Sequence, residues 1–201
     1  VDKYFDIVNY NLIKNNSLEE LELLFSELNI FTVYVCKNIL VLDDINDFEI
    51  PKSKTINFKK IFLINNPSLL NKIKSKDINL ICKPNNLSEL SKLLNNPKSK
   101  LIYSPIFSKL GFDEGCCNLC SQNSKQIIFD LNLFRSNTYK SIKQSLFIFK
   151  ILQQHKVKFC FSSFANTKEE LIDPNVSKYF LENFNIDSSL IDKVFRDNYE
   201  L

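Results

Sequence analysis

Asp6 and Asp130 each stand at or near the end of a short apolar run, where a (β/α) barrel carries catalytic carboxylates. A metal-dependent phosphoesterase could be built on such a pair if further His, Asp, Glu or Cys side chains completed the ligand set. The chain has one histidine, His155, placed just before a strand and so at the barrel end opposite the catalytic rim. It reads as a solvated or helix-capping side chain. Cys116-Cys117-x-x-Cys120 resembles a metal or redox motif, but no second CxxC or histidine pair supplies the other ligands of a closed zinc site. At helical spacing Cys116, Leu119 and Cys120 share one stripe with Cys117 off it, so helix packing is the expected role. Ser162 and Ser163 have no histidine at usable geometry, and a serine nucleophile needs such a base.

The remaining chemistry is non-catalytic. Arg135, Lys140 and Lys143 flank a loop and the start of a long helix, and Lys168 follows the serine turn. With outward-facing hydroxyls on Ser162 and Ser163, these side chains could receive backbone phosphates. The bland alternative is a solvated lysine face.

The elements that must position these groups centre on residues 125–174. Ile127–Leu131 and Val157–Phe161 are short β-branched and aromatic runs, as expected of strands covered on both faces. Between them Ile142, Leu146, Phe149 and Ile151/Leu152 recur at helical spacing. Strand, helix and strand make a right-handed crossover unit. Upstream, strands are expected at Tyr4–Val8, Ile30–Cys36, Lys60–Ile64, Ile78–Cys82 and Lys100–Tyr103, with a further short one at Ile39–Leu42. Helices are expected from the capping box at Ser17-Leu18-Glu19-Glu20, at Pro67, over Leu87–Leu94 and over Asp113–Gln122. Two more close the chain, Val176–Phe184 and Ser188 or Ser189 to about Asn198. Alternating strands and helices at this length make one α/β domain over residues 1–201. No glycine-rich phosphate loop follows any strand, which favours a TIM-like barrel over an open nucleotide-binding sheet.

A hydrophobic fraction of 44% and a charged fraction of 24% suit a globular domain. The net charge of +3 is compatible with nucleic-acid binding without arguing for it. Arg135 and Arg196 are the only arginines, so the positive charge is mostly lysine, which makes point-charge contacts to phosphate. Of the cysteines at 36, 82, 116, 117, 120 and 160, four fall inside apolar strands or a helix face, where free cysteine behaves as a small hydrophobe. With no signal peptide and no apolar run of membrane-spanning length, a reducing intracellular compartment and no membrane partner are expected.

These residues together resemble the protein component 3 family, the TIM-barrel protein subunits of ribonuclease P. The likeness spans nearly the whole chain and is firmest in its second half. The opening strand with its aspartate is Tyr4-Phe5-Asp6-Ile7, and the entry into strand two is Glu27-Leu28-Asn29-Ile30-Phe31, with Asn29 in place of the family's glycine. The middle helix and strand correspond to Asp113–Asn123 and Ile127–Leu131, followed by Phe134-Arg135 in the basic loop. The most specific piece is Ser162-Ser163-Phe164-Ala165, then Glu170-Leu171-Ile172-Asp173-Pro174 and the tail from Val176 to Asn198. Ile172 replaces a family arginine, and Asn185 a glycine.

The resemblance implies a barrel related to polymerase-and-histidinol-phosphatase phosphoesterases. Those enzymes begin with Asp-x-His-x-His, where this chain has Asp6, Val8 and Tyr10. It therefore implies an accessory subunit without an active site or bound cofactor of its own. Its partner ribonuclease P RNA would use Mg²⁺ to remove 5′ leaders from precursor tRNA, and a second partner would be ribonuclease P protein component 2. The location would be the cytoplasm of an archaeon or the nucleus of a eukaryote. Two other classes stay open: a divergent phosphoesterase built on Asp6 and Asp130, and a scaffold that binds protein alone.

Overall fold

The computed structural model describes residues 3–41, 45, 48–73, 78–104, 112–132, 139–183, 189 and 191, with backbone alone over 139–146. Strands β1 (Tyr4–Asn9), β2 (Ile30–Ile39), β3 (Asn57–Ile64), β4 (Leu80–Cys82), β5 (Leu101–Ser104), β6 (Gln126–Asp130) and β7 (Lys158–Ser162) form one sheet in sequence order. Every neighbouring pair is parallel. The two edge strands then meet. Phe164 N–H donates to the carbonyl of Ile7 at 2.8 Å, and Asn9 N–H to that of Ala165 at 2.9 Å, which closes the sheet into a TIM-like α/β barrel.

Two apolar clusters follow from the period-two alternation of these strands. The smaller takes alternate residues, among them Phe5 and Ile7, Tyr34 and Cys36, Leu101 and Tyr103, and Cys160, and fills the barrel. The larger takes the intervening residues, such as Val33 and Val35 or Phe159 and Phe161, and packs them on the helices. Strands buried on both faces are what the near-continuous apolar runs require.

Helices α1 (Tyr10–Lys14), α2 (Leu18–Glu27), α3 (Leu87–Asn95), α4 (Glu114–Gln122), α5 (Tyr139–Gln154) and α6 (Pro174–Glu182) supply the outer layer. Their starts are written locally. Ser17 and Glu20 form the expected capping box on α2. Asn86 caps α3, and Asp113 caps α4 by accepting from Cys116 N–H at 2.9 Å. Asp173 caps α6 ahead of Pro174 at its first position. Their ends share a device. Asn29, Ser124 and Lys156, directly after α2, α4 and α5, have φ of 56°, 50° and 54°. This is the left-handed turn usually given to glycine, and it swings each chain into the next strand. Asn29 makes this turn without a glycine.

Several expectations need correcting. Ile39 does not open a separate strand but ends β2, which β3 pairs from Thr32 to Ile39; Leu42 lies outside the described residues. The Pro67 segment is a 3₁₀ turn over Pro67–Asn71, not a full helix. Cys117 lies in the core at 0% exposure beside Cys116 and Cys120, while Leu119 is half-buried. The second closing helix lies outside the described residues apart from Ser189 and Ile191. Ile172 packs against the larger core.

Candidate functional site

The carboxyl ends of the strands form the rim on which the sequence places its candidate residues. Asp6, on β1, is 4% exposed and takes hydrogen bonds on both carboxylate oxygens. Oδ1 accepts from Ile7 N–H at 2.8 Å, Ser162 Oγ–H at 2.6 Å and Ser163 N–H at 2.8 Å. Oδ2 accepts from Ser163 Oγ–H at 2.5 Å. Burial raises the Asp6 pKa above the ordinary carboxylate value, and the bonds from Ser162, Ser163 and Ile7 oppose that rise. Ser162 Oγ also lies 2.8 Å from the N–H of Ile7.

Ser162 and Ser163, at 2% and 1% exposure, therefore do not present outward hydroxyls as expected. Their polar atoms hold the β7–β1 seam. Strand and seam pairing brings together Asp6, Ser162 and Ser163, which the sequence reading treated as separate candidates.

Asp130, at the end of β6, sits in register with Ser162. Its Oδ2 accepts from the Tyr103 hydroxyl at 2.6 Å, and its Oδ1 from Asn132 N–H at 2.9 Å. Burial, then the nearby Asp130 carboxylate, pushes the Tyr103 pKa up, so the phenol stays a donor. The Lys83 ammonium lies over the Tyr103 ring at 5.3 Å, and Phe164 meets that ring edge-on at 4.9 Å. Asn132 Nδ2 ties the exit of β6 to the next loop by donating to the carbonyls of Ser163 at 2.6 Å and Glu170 at 2.9 Å. Lys83, Tyr103 and Asn132 were not singled out in the sequence. Only their positions directly after or at the ends of apolar runs could have marked them.

Lys168 is half-buried and pairs with Glu20 at 3.2 Å, so the cation after the serine turn is partly spent on the start of α2. Arg135 lies outside the described residues, as do the side chains of Lys140 and Lys143. His155 is half-buried at the opposite barrel end, after α5. Among the described residues no three His, Cys, Asp or Glu side chains group as metal ligands. The Cys117 thiol is pushed up to about 12 by burial, and those of Cys116 and Cys120 are also raised. The rim as described therefore offers buried, hydrogen-bonded carboxylates that hold strands together.

A chain in the cryo-EM structure of archaeal ribonuclease P with mature tRNA superposes with a TM-score of 0.75 at 16% identity, covering 94% of this chain and 86% of that one. The two share a fold. The crystal structure of an uncharacterized protein also matches, with a TM-score of 0.58 at 8% identity, over 95% of this chain and 71% of the other. No protein-family model matches the sequence, and no curated protein does.

Proposed function

We propose that this chain is an accessory protein subunit of ribonuclease P. It supports the RNA-catalysed, endonucleolytic removal of 5′ leaders from precursor tRNA and carries no hydrolytic site itself. The observation behind this reading is the likeness, over 94% of the chain, to a chain in an archaeal ribonuclease P. The rim chemistry is in keeping with it. Asp6, which the phosphoesterase alternative needs as a metal ligand, has both oxygens engaged by Ser162 and Ser163 and is disfavoured as an anion by burial.

In this reading the partners are ribonuclease P RNA and protein component 2, and precursor tRNA is met indirectly. Mg²⁺ belongs to the RNA. Arg135, Lys140, Lys143 and Lys168 remain proposed phosphate contacts, while Ser162 and Ser163 act by holding the loop that carries Lys168. The compartment is the cytoplasm of an archaeon or the nucleus of a eukaryote. The test is to incubate the chain alone, loaded with Zn²⁺ or Mn²⁺, with phosphodiesters, and separately to titrate it into ribonuclease P RNA. RNA binding without hydrolysis supports the proposal. Metal-dependent hydrolysis without RNA binding refutes it.

A further inference from the structure

We infer that this chain has a second RNA-facing surface on the amino-terminal rim of the barrel, where Lys3, Lys59, Lys100, Lys156 and Lys158 receive backbone phosphates. The inference rests on the subunit reading above and adds a face opposite the contacts proposed there, which follow β6 and β7.

The fold biases charge between the two barrel ends, although Lys83 and Lys168 stand at the carboxyl end. Helices of a (β/α) barrel start near the carboxyl ends of the strands, and their first turns favour acids. That end accordingly holds Glu19 and Glu20 on α2, Glu89 on α3 and Glu114 on α4. At the other end the chain passes from helix to strand, and there lysine recurs. Lys3 precedes β1, Lys59 stands in the first half of β3, Lys100 directly precedes β5, and Lys156 and Lys158 bracket the start of β7. All five are exposed, and none forms an ion pair with a described residue. Glu27, ending α2, is a counter-charge at the same end.

Strand register brings part of this set together. Gln126 N–H donates to the carbonyl of Lys100 at 2.9 Å, and Gln126 is the register partner of Lys158. Lys100 and Lys158 therefore flank a single strand, about 10 Å apart. That is within the range over which charges act jointly at physiological salt. Lys59 and Lys3 lie over the rings of Tyr34 and Phe31 at 5.3 and 5.2 Å, contacts that steady the ammonium groups without neutralising them. Lysines unpaired by carboxylates, with half-buried Phe31 beside Lys3, fit a phosphate backbone with sequence-tolerant contacts.

The test is binding of the folded chain to ribonuclease P RNA across a salt series. It compares wild type with the triple variant Lys59→Gln/Lys100→Gln/Lys158→Gln, the matching Lys→Arg triple, and Lys92→Gln/Lys150→Gln on outer helix faces. Circular dichroism checks that each is folded. We expect the Gln triple to flatten the slope of log K against log salt by about 2 to 3 and weaken binding roughly 10- to 100-fold at 0.1 M salt. The Arg triple and the helix-face control should bind as wild type does. If wild type binds and the Gln triple matches it, the rim assignment falls and the subunit reading stands. If the Gln triple loses protein component 2 but keeps RNA, the rim is a protein interface and the assignment also falls. If wild type neither binds RNA nor affects precursor-tRNA cleavage, the subunit reading fails and takes the rim with it.

Discussion

Ser163 donates twice to Asp6, a residue 157 positions earlier: its backbone N–H to Oδ1 at 2.8 Å and its hydroxyl to Oδ2 at 2.5 Å. One residue pair thus joins the first strand to the exit of the last. In a barrel, that junction decides whether the sheet has edges. Removing Asp6 strands buried donors of Ser162, Ser163 and Ile7. Asp6→Ala should cost about 2–4 kcal/mol in urea unfolding, and Ser163→Ala about 1–2 kcal/mol. A cost near zero for Asp6→Ala would mean the seam is held elsewhere.

Asp6 also gives stability a pH dependence of defined sign. Its folded pKa is raised above the ordinary 3.8, so between the two values the folded chain binds more proton than the unfolded one. Its contribution is fully present below the unfolded value and declines as pH rises through the folded one. Asp6→Asn cannot ionise. The stability of wild type minus that of Asp6→Asn should therefore fall as pH rises from about 3.8 and then level off. A difference that grows with pH would show that the hydrogen bonds, not burial, control the carboxyl.

The left-handed helix exits make a prediction that depends on no site. Ser124 and Lys156 hold φ near 50° with side chains that disfavour it. Ser124→Gly and Lys156→Gly should each stabilise by about 0.5–1 kcal/mol, or 1–4 °C in Tm. Asn29→Gly should gain less, since asparagine tolerates this region. Phe164, at φ 48°, is different because its ring packs on Tyr103. Phe164→Gly should destabilise.

The buried thiols should be chemically silent. Burial raises Cys36, Cys82, Cys117 and Cys160 to about 12 and lifts Cys116 and Cys120 as well. In the native chain an aromatic disulfide reagent should release little colour at pH 8, and all six thiols should react after unfolding in urea. Rapid native reaction at Cys116 or Cys117 would indicate that α4 opens.

Lys168 lowers the Glu20 pKa by hydrogen bonding to its carboxylate, ahead of the Ser17 cap. Lys168→Ala should move Glu20 back toward the ordinary carboxylate value in an NMR titration. No movement would mean the pair does not persist in solution.

Much of the barrel was legible because its strands are buried on both faces and so appear as apolar runs; β1, β6 and β7 start or end within a residue of where those runs place them. The α2 and α4 starts were legible because Ser17 and Asp113 cap locally. The short α1 was not, since five residues with Leu12 and Ile13 buried set no period. The site was harder. Asp130 could be placed at a strand end, but Asp6 lies mid-strand in β1, and the burial of Ser162 and Ser163 depends on a seam between distant parts of the chain, which local pattern does not encode. Likewise, the length of β2 was fixed by its pairing with β3 and not by its own sequence.

Reconstituted cleavage of precursor tRNA tests the central claim most directly. The assay would hold ribonuclease P RNA and protein component 2 at limiting Mg²⁺, with and without this chain. The account predicts a higher cleavage rate when the chain is added, and a lower Mg²⁺ requirement. An unchanged rate over a full Mg²⁺ titration, with the chain shown to be folded, would contradict it.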